Sequence, residues 1–290
     1  AQALEALYED NLSIISGQVA IHYEQAGLLA QAVDYYHQAA EKERQVFATG
    51  EALTYLARGF ELLKQLSSTP EVMERELALQ MTLGGIWSPI KGHGSSEVGQ
   101  IYERALTLCQ QLAKTPQLFP ALWGVHEVYL YRAEFAKALK PAEECLQIAQ
   151  RAGDAGLLLQ AYHALWGVHF YCGSLASALT YAKHGITLYT TGQYQAQALD
   201  YGVHDTGVCA LHVAGLSLWL LGYPNQTKQK LAVLMALTGK LTFPILVADA
   251  TAQIAMICQC LREVQPIQTY TQNCLHLCTE HGYPTCQAHA

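Results

Sequence analysis

VAIHYEQAGLLAQAVDYYHQAA, residues 19–40, is the stretch on which the architecture turns. Two short periodic runs flank Gly27. Ala20 and Ala32 are small at the positions where two helices must approach closely, and Tyr23 and Tyr36 fill the space beside that approach. Ala39 extends the same face. Gly27 closes the first run in a turn that needs positive φ, which costs glycine nothing. The stretch reads as one helix–turn–helix hairpin.

The pattern returns along the chain. The small residue that opens the second helix falls at Val98, Ala138 and Ala178, in steps of 40 residues. It returns at Thr227, 49 residues on, and at Ile267, a further 40. The turn residue moves with it, at Ala133, Gly173 and Gly222. The longer step implies an insertion near residues 190–205. A fixed period with one hydrophobic face per unit is the mark of a stacked repeat array. We therefore expect an all-α, right-handed α-solenoid of tetratricopeptide-like helix–turn–helix repeats. HEAT-type stacking is the structural alternative, because 40 residues exceeds the usual tetratricopeptide period. The expected division is 1–115, with 41–97 degenerate, followed by a continuous second part, 116–290. Within 41–97, helices are expected near 47–66 and 70–84, then a loop over IWSPIKGHGSSEV.

Local signals agree. Thr69-Pro70 and Thr115-Pro116 each read as an N-cap followed by proline at the first helical position. Gly153-Asp154 and Gly222-Tyr223-Pro224 separate apolar runs. In 118–131 the apolar spacing predicts burial of Leu118, Leu122, Val125 and Tyr129. No alternating run flanked by hairpin turns predicts a strand. The opening AQALEALYED starts inside a helix-like run, and the end, EHGYPTCQAHA, carries no polar capping helix, so a piece of a longer protein is expected.

Composition narrows the function. The formal net charge is −7, with no basic stripe, so nucleic acid and anionic membranes are not expected partners. Residues 146–290 carry only 12 of the 41 charged side chains, which fits helices buried between neighbours. The uncharged stretches Ala155–Ala182 and Thr206–Thr227 are each broken by turn residues, and are read as buried repeat helices and not as membrane spans. The nine cysteines are an odd number lying mostly in apolar helical runs, as reduced core thiols of a cytoplasmic protein do.

Several segments resemble a known family. These are EALTYLARGFELLKQL (51–66), TPQLFPALWGVHEVYLYRAEFAKAL (115–139) and YGVHDTGVCALHVAGLSLWLLGYPNQ (201–226). They look like the tetratricopeptide region of large bacterial STAND-type signalling ATPases, in which a cyclase or Ser/Thr kinase domain often precedes the ATPase. ALEALYEDNLSIISGQVAIHYEQAG (3–27) resembles the junction after the ATPase module. The resemblance implies a sensor or scaffold that passes a bound state to enzyme domains. It implies no catalysis in this chain, which has no P-loop, cyclase carboxylate pair or kinase loop.

Candidate constellations are weighed against plain structure. Gly92-His93-Gly94-Ser95-Ser96 lacks the phosphate-loop lysine and reads as an inter-helix loop with a serine N-cap. Cys274, Cys278 and His281, with Cys286 and His289, lack the tight C-x-x-C pairs of structural zinc sites, and Cys258-x-Cys260 points to opposite sides of a helix, so core thiols and no metal are expected. His204-Asp205 has no partner for acid–base work, and Asp205 reads as the N-cap of a helix near Thr206. His126, His163, His169 and His212 read as hydrogen-bonded core or groove residues. No catalytic residue and no cofactor are expected.

The stronger expectation is a concave face lined by the first helix of each unit. Alignment on the turn residue places Trp123, Glu127 and Tyr131 there, then His163, Phe170 and Tyr171, then His212, Leu216 and Trp219. An aromatic, weakly charged groove suits a protein or peptide partner, or other domains of the parent chain. A small regulatory molecule held by the same aromatics is the alternative.

Overall fold

A computed structural model describes residues 12–46, 48–113, 116–189, 201 and 204–282. Among the described residues there are thirteen helices and no strand. They are α1 (Leu12–Gln25), α2 (Leu29–Gln45), α3 (Thr49–Leu63), α4 (Pro70–Lys91), α5 (Ser96–Leu112), α6 (Leu118–Tyr131), α7 (Phe135–Ala152), α8 (Ala155–Tyr171), α9 (Leu175–Leu188), α10 (Thr206–Leu220), α11 (Pro224–Thr238), α12 (Pro244–Leu261) and α13 (Val264–His281). They are divided between two compact units, Ala1–Trp87 with Ser96–Ala121, and Ser88–Ser95 with Leu122–Ala290.

In the first unit the quoted stretch is the α1–α2 hairpin. Ala20 and Ala32 are fully buried at the helix crossing, and Tyr23 and Tyr36 sit in the same core with Val19, Val33, Leu56 and Leu79. Tyr36 is buried with its hydroxyl satisfied, donating to Glu24 Oε2 at 2.7 Å. Arg58 clamps Glu24 from α3. Thr69 caps α4 as expected: the Val72 N–H donates to its Oγ1 at 3.4 Å, and Pro70 opens the helix. The expected loop over 86–98 is mostly helix instead. α4 runs on through Pro89 to Lys91, because Ile86 is drawn into the core and burial outweighs the local Trp-Ser-Pro turn signal. The true loop is Gly92–Ser95.

The repeat markers hold in space. Val98, Ala138, Ala178 and Thr227 are fully buried near the start of their helices, like Ala32, whereas Ile267 is half-buried on the outermost described helix. Each follows a left-handed corner. Gly27, Gly92, Ala133, Gly173 and Gly222 have φ of +73°, +89°, +57°, +76° and +87°, and Arg262 has +58°. Two contacts repeat across hairpins at a separation of 12 residues. His126 Nδ1 donates to the Ala138 carbonyl at 3.0 Å, and Thr227 Oγ1 donates to the Gly215 carbonyl at 3.1 Å.

In the second unit, Gly153 ends α7 in a left-handed cap and Asp154 caps α8, accepting from Leu157 N–H at 2.9 Å. Asp205 caps α10 as expected, accepting from Val208 N–H at 3.0 Å. The Thr115 cap falls outside the described residues, and α6 begins at Leu118, two residues past Pro116. The one-sided burial expected in α6 is not what forms. Leu122 and Val125 are buried and Leu118 and Tyr129 only half so, while Trp123, His126, Glu127 and Val128 are buried as well. The helix is covered on all sides, so no apolar stripe marks it.

Trp166 is the largest fully buried side chain, packed with Leu159, Ala182, Ala210 and Ala214. Cys274 and Cys278 lie in the core between α12 and α13 with Sγ atoms 3.8 Å apart, as core thiols. Cys258 is buried and Cys260 half-buried, and both pack with the apolar cluster of Leu211, Leu231 and Ile254. Cys286, His289 and most of the expected insertion near 190–205 lie outside the described residues. Among the described helices α12 alone is long and apolar enough to cross a membrane by length and composition, and most of it is buried inside the protein.

Candidate functional site

The site is built in the second unit from the first helices of successive hairpins. The register that puts Ala133, Gly173 and Gly222 at the corners puts Tyr131, Tyr171 and Leu220 two residues before them. Tyr131 is 49% exposed, Tyr171 62% and Leu220 52%, with Trp219 beside them at 37%. Ile90, two residues before the Gly92 corner, is exposed in the same register. A helix end that shows solvent a large apolar side chain in unit after unit forms a rim, not a core.

Below the rim the same helices bury polar groups. Trp123 and Glu127 on α6 are buried, Glu127 to 6% exposure, and His163 on α8 and His212 on α10 are half-buried. The structure gathers Trp123, Glu127, Tyr131 and His163 around two histidines, His93 and His204, that were not among the expected groove residues. His93 stacks on Tyr131 with ring centroids 4.7 Å apart, and its Nδ1 lies 3.6 Å from Glu127 Oε2. His204 lies 6.2 Å from His93 and 6.3 Å from His163, ring to ring. Its Nδ1 is 3.5 Å from Oδ2 of buried Asp249 on α12. Gln253 Nε2 donates to the same Asp249 oxygen at 2.7 Å. His212 Nδ1 donates to the Gln253 carbonyl at 3.2 Å. Phe170 and Leu216 instead pack into an apolar cluster with Leu211, Leu231 and Ile254.

Local structure fixes these groups. His93 stands in the Gly92–Ser95 loop, which Arg132 straps to the end of α6: Nε donates to the Gly94 carbonyl and a terminal nitrogen to that of Ser95, both at 2.8 Å. A Cβ at Gly94 would lie 3.3 Å from Tyr131, so the loop packs tightly against the end of α6 there. His204 precedes Asp205, which Tyr189 holds by donating its hydroxyl at 2.8 Å. Gln160 donates to Thr206 Oγ1 at 3.1 Å behind them.

The electrostatics are those of a floor where carboxyls and imidazoles are largely buried together. Burial pushes the Glu127 carboxyl up to about 7, although His204 opposes the shift. Burial pushes His93 and His163 down to about 3 and His126 to about 4. Burial acts against a charged His204 too, but Asp249 and Glu127 outweigh it, and its pKa is raised. Four buried nitrogens around the cluster have no hydrogen-bond partner among the described residues: Trp123 Nε1, His126 Nε2, His163 Nδ1 and His204 Nδ1. Such groups are costly unless something satisfies them.

His93 and His204 escaped the sequence reading for different reasons. His93 stands in a glycine loop whose sequence pattern speaks only for or against a phosphate cradle. His204 stands next to Asp205 in sequence, whereas its partners Glu127 and Asp249 are 77 and 45 residues away.

No family model matches the chain. It is similar to an uncharacterized protein of Rhizobium meliloti (strain 1021), 27% identical over 230 residues, which make up 79% of this chain and 22% of that protein. The chain thus spans about a fifth of that relative's length. Among solved structures it is similar to a Signal Transduction ATPase with Numerous Domains (STAND) protein with a tetratricopeptide repeat sensor from Pyrococcus horikoshii. There the TM-score is 0.61 at 13% identity, over 99% of this chain and 45% of that one. It is also similar to a Rap protein complexed with Competence and Sporulation Factor, at TM-score 0.57 and 10% identity, over 90% of this chain and 69% of that one. At such identities the likeness concerns the fold alone. With the helix order, the left-handed corners and the buried small residues at each crossing, it establishes the architecture: an α-solenoid of tetratricopeptide-like helix pairs.

Proposed function

We propose that this chain is a non-catalytic interaction and sensor scaffold, whose second unit receives a protein or peptide segment along the rim of Tyr131, Tyr171 and Trp219. The carrying observation is the exposure of large apolar side chains at the ends of successive first helices, Tyr131 and Tyr171 in one register and Leu220 with its neighbour Trp219 in the next hairpin. Rigid aromatics with two side-chain torsions supply contact area at small entropic cost, and they dominate interface hot spots. The buried polar floor beneath gives such a segment something to read by hydrogen bonding. Two relations support the reading: the STAND neighbour carries its repeats as a sensor, and the Rap neighbour is complexed with a factor. In the same reading the parent protein carries a STAND-type ATPase with a cyclase or kinase domain, and the segment comes from a partner or from those domains.

The test is a selection of displayed random peptides on the wild-type chain, followed by affinity measurement on Tyr131→Ala and Trp219→Ala. Both side chains are exposed, so both variants should keep the wild-type helical circular dichroism. Loss of about tenfold or more in affinity, some 1.4 kcal/mol, is expected from each. Selected peptides that bind both variants as tightly as wild type would refute the rim. The buried polar floor favours a second reading, a small polar molecule as the occupant. A metabolite that raises the melting temperature in proportion to occupancy would support it.

A further inference from the structure

We propose that the floor of the second unit is a binding site for a divalent transition-metal ion of the zinc type, held by His93, Glu127 and His204, with Asp249 orienting His204 from behind. The site does not depend on what occupies the rim.

The geometry is the first warrant. One donor atom from each of His93, Glu127 and His204 lies within 4.8 Å of the others. Ligands about 2.0–2.1 Å from a tetrahedral zinc stand about 3.3 Å apart. The His93–Glu127 pair is at 3.6 Å, nearly that spacing and too long for a hydrogen bond. His126 Nε2 to Glu127 Oε1, at 3.7 Å, is likewise too long. The groups converge without bonding one another, at separations that one ion closes with small side-chain shifts.

Charge is the second warrant. Glu127 and Asp249 are 6% and 5% exposed, and among the described residues neither has a lysine or arginine partner. Arg132, the guanidinium on the same helix end, is committed to two loop carbonyls. With no lysine or arginine beside them, the positive charge these two buried carboxyls face comes from His204 or from a bound cation, and an ion at the three donors would take that place.

The supporting shell is the third. Metal-bound histidines ordinarily give their other ring nitrogen to a carboxylate. Asp249 Oδ2 stands 3.5 Å from His204 Nδ1 and is itself held by Gln253. The buried, unpartnered His204 Nδ1 then donates to Asp249 and leaves Nε2 for the ion. His93 is fixed by the Arg132 strap and His204 by the Asp205 cap, so the donors come from elements already locked. Three protein ligands leave a coordination position open toward Tyr131 and the rim. A second group, His204, Cys209 and Asp249, meets the same distance condition. It is the competing assignment, because His204 serves both.

The experiment uses the full chain stripped with chelator, then titrated with Co²⁺ and Zn²⁺. One equivalent of Co²⁺ should give visible d–d absorption without the near-ultraviolet thiolate band that Cys209 ligation would add, and Zn²⁺ should abolish it and raise the melting temperature. His93→Gln, Glu127→Gln and His204→Gln should each weaken binding about 100-fold or more, and Asp249→Asn about 10- to 100-fold. Metal-free melting curves establish that each variant is folded, and any that is not is replaced by the corresponding Asn or Asp variant. Cys209→Ser and the Cys274→Ser, Cys278→Ser pair should bind as wild type. Three results would each overturn the assignment: no uptake at micromolar metal, uptake unchanged in His93→Gln and Glu127→Gln, or uptake lost in Cys209→Ser.

Discussion

A methyl group added at Gly185 tests the packing of the second unit directly. Gly185 on α9 faces Trp166 on α8, and a Cβ there would lie 2.4 Å from Cζ3 of the indole and 3.0 Å from Cη2. Carbon atoms rest at about 3.5–4.0 Å, so the ring must move by roughly 1 Å. Trp166 is fully buried among Leu159, Ala182, Ala210 and Ala214, which leaves it little room. Overpacking of this kind costs about 1–3 kcal/mol, while replacing glycine by alanine inside a helix returns about 1 kcal/mol. Gly185→Ala should therefore be neutral to about 2 kcal/mol destabilising. In a Trp166→Phe background the outer edge of the ring is gone, only the helix propensity remains, and the same change should stabilise by about 1 kcal/mol. The coupling energy of the cycle is then about 1–3 kcal/mol. Urea unfolding followed by circular dichroism at 222 nm on all four proteins measures it, provided the slope with denaturant stays constant. A coupling below about 0.5 kcal/mol would show that the two residues do not press on each other, and the assigned packing of α8 on α9 would fail.

Two further outcomes follow from single positions. Gly222 turns the α10–α11 corner at φ +87° with open space around it, so Gly222→Ala meets no clash and should lower stability only by the left-handed penalty, about 1–2 kcal/mol, read as a fall in melting temperature. Burial pushes His212 down to about 4, so its contribution to stability is complete above pH 6.5 and is lost as pH falls toward 4. His212→Gln should gain on wild type as pH falls through that window, and a stability difference that stays flat with pH would refute the assignment.

The repeat was readable because its signals are local. Small residues at 32, 138 and 178 and corner glycines at 27, 173 and 222 report on contacts within one hairpin, and each took the expected place. Caps at Thr69 and Asp205 involve neighbours three residues away and were equally legible. Legibility failed where long-range burial outweighed a local rule. Pro89 did not end α4, since the helix is held by what packs on it. Helix α6 showed no stripe because neighbours cover it on every side, so its apolar spacing could not say which residues face the groove. Of the nine expected groove residues, the structure gathers Trp123, Glu127, Tyr131 and His163 into one cluster, and it gives Phe170 and Leu216 to the core. His93 and Asp249, which complete the cluster, come from a loop and from a helix that no spacing rule connects to α6.

The guanidinium strap has a mechanical meaning. Arg132 follows Tyr131 directly, and its two bonds to the Gly94 and Ser95 carbonyls make the end of α6 and the preceding loop a single lever. Whatever tilts the exposed Tyr131 ring also pulls on His93, which stacks against it. An event at the surface is thereby geared to the buried histidines by two links, the ring stack and the strap, and Arg132→Met would cut the second and leave the loop held to the helix end by the stack alone.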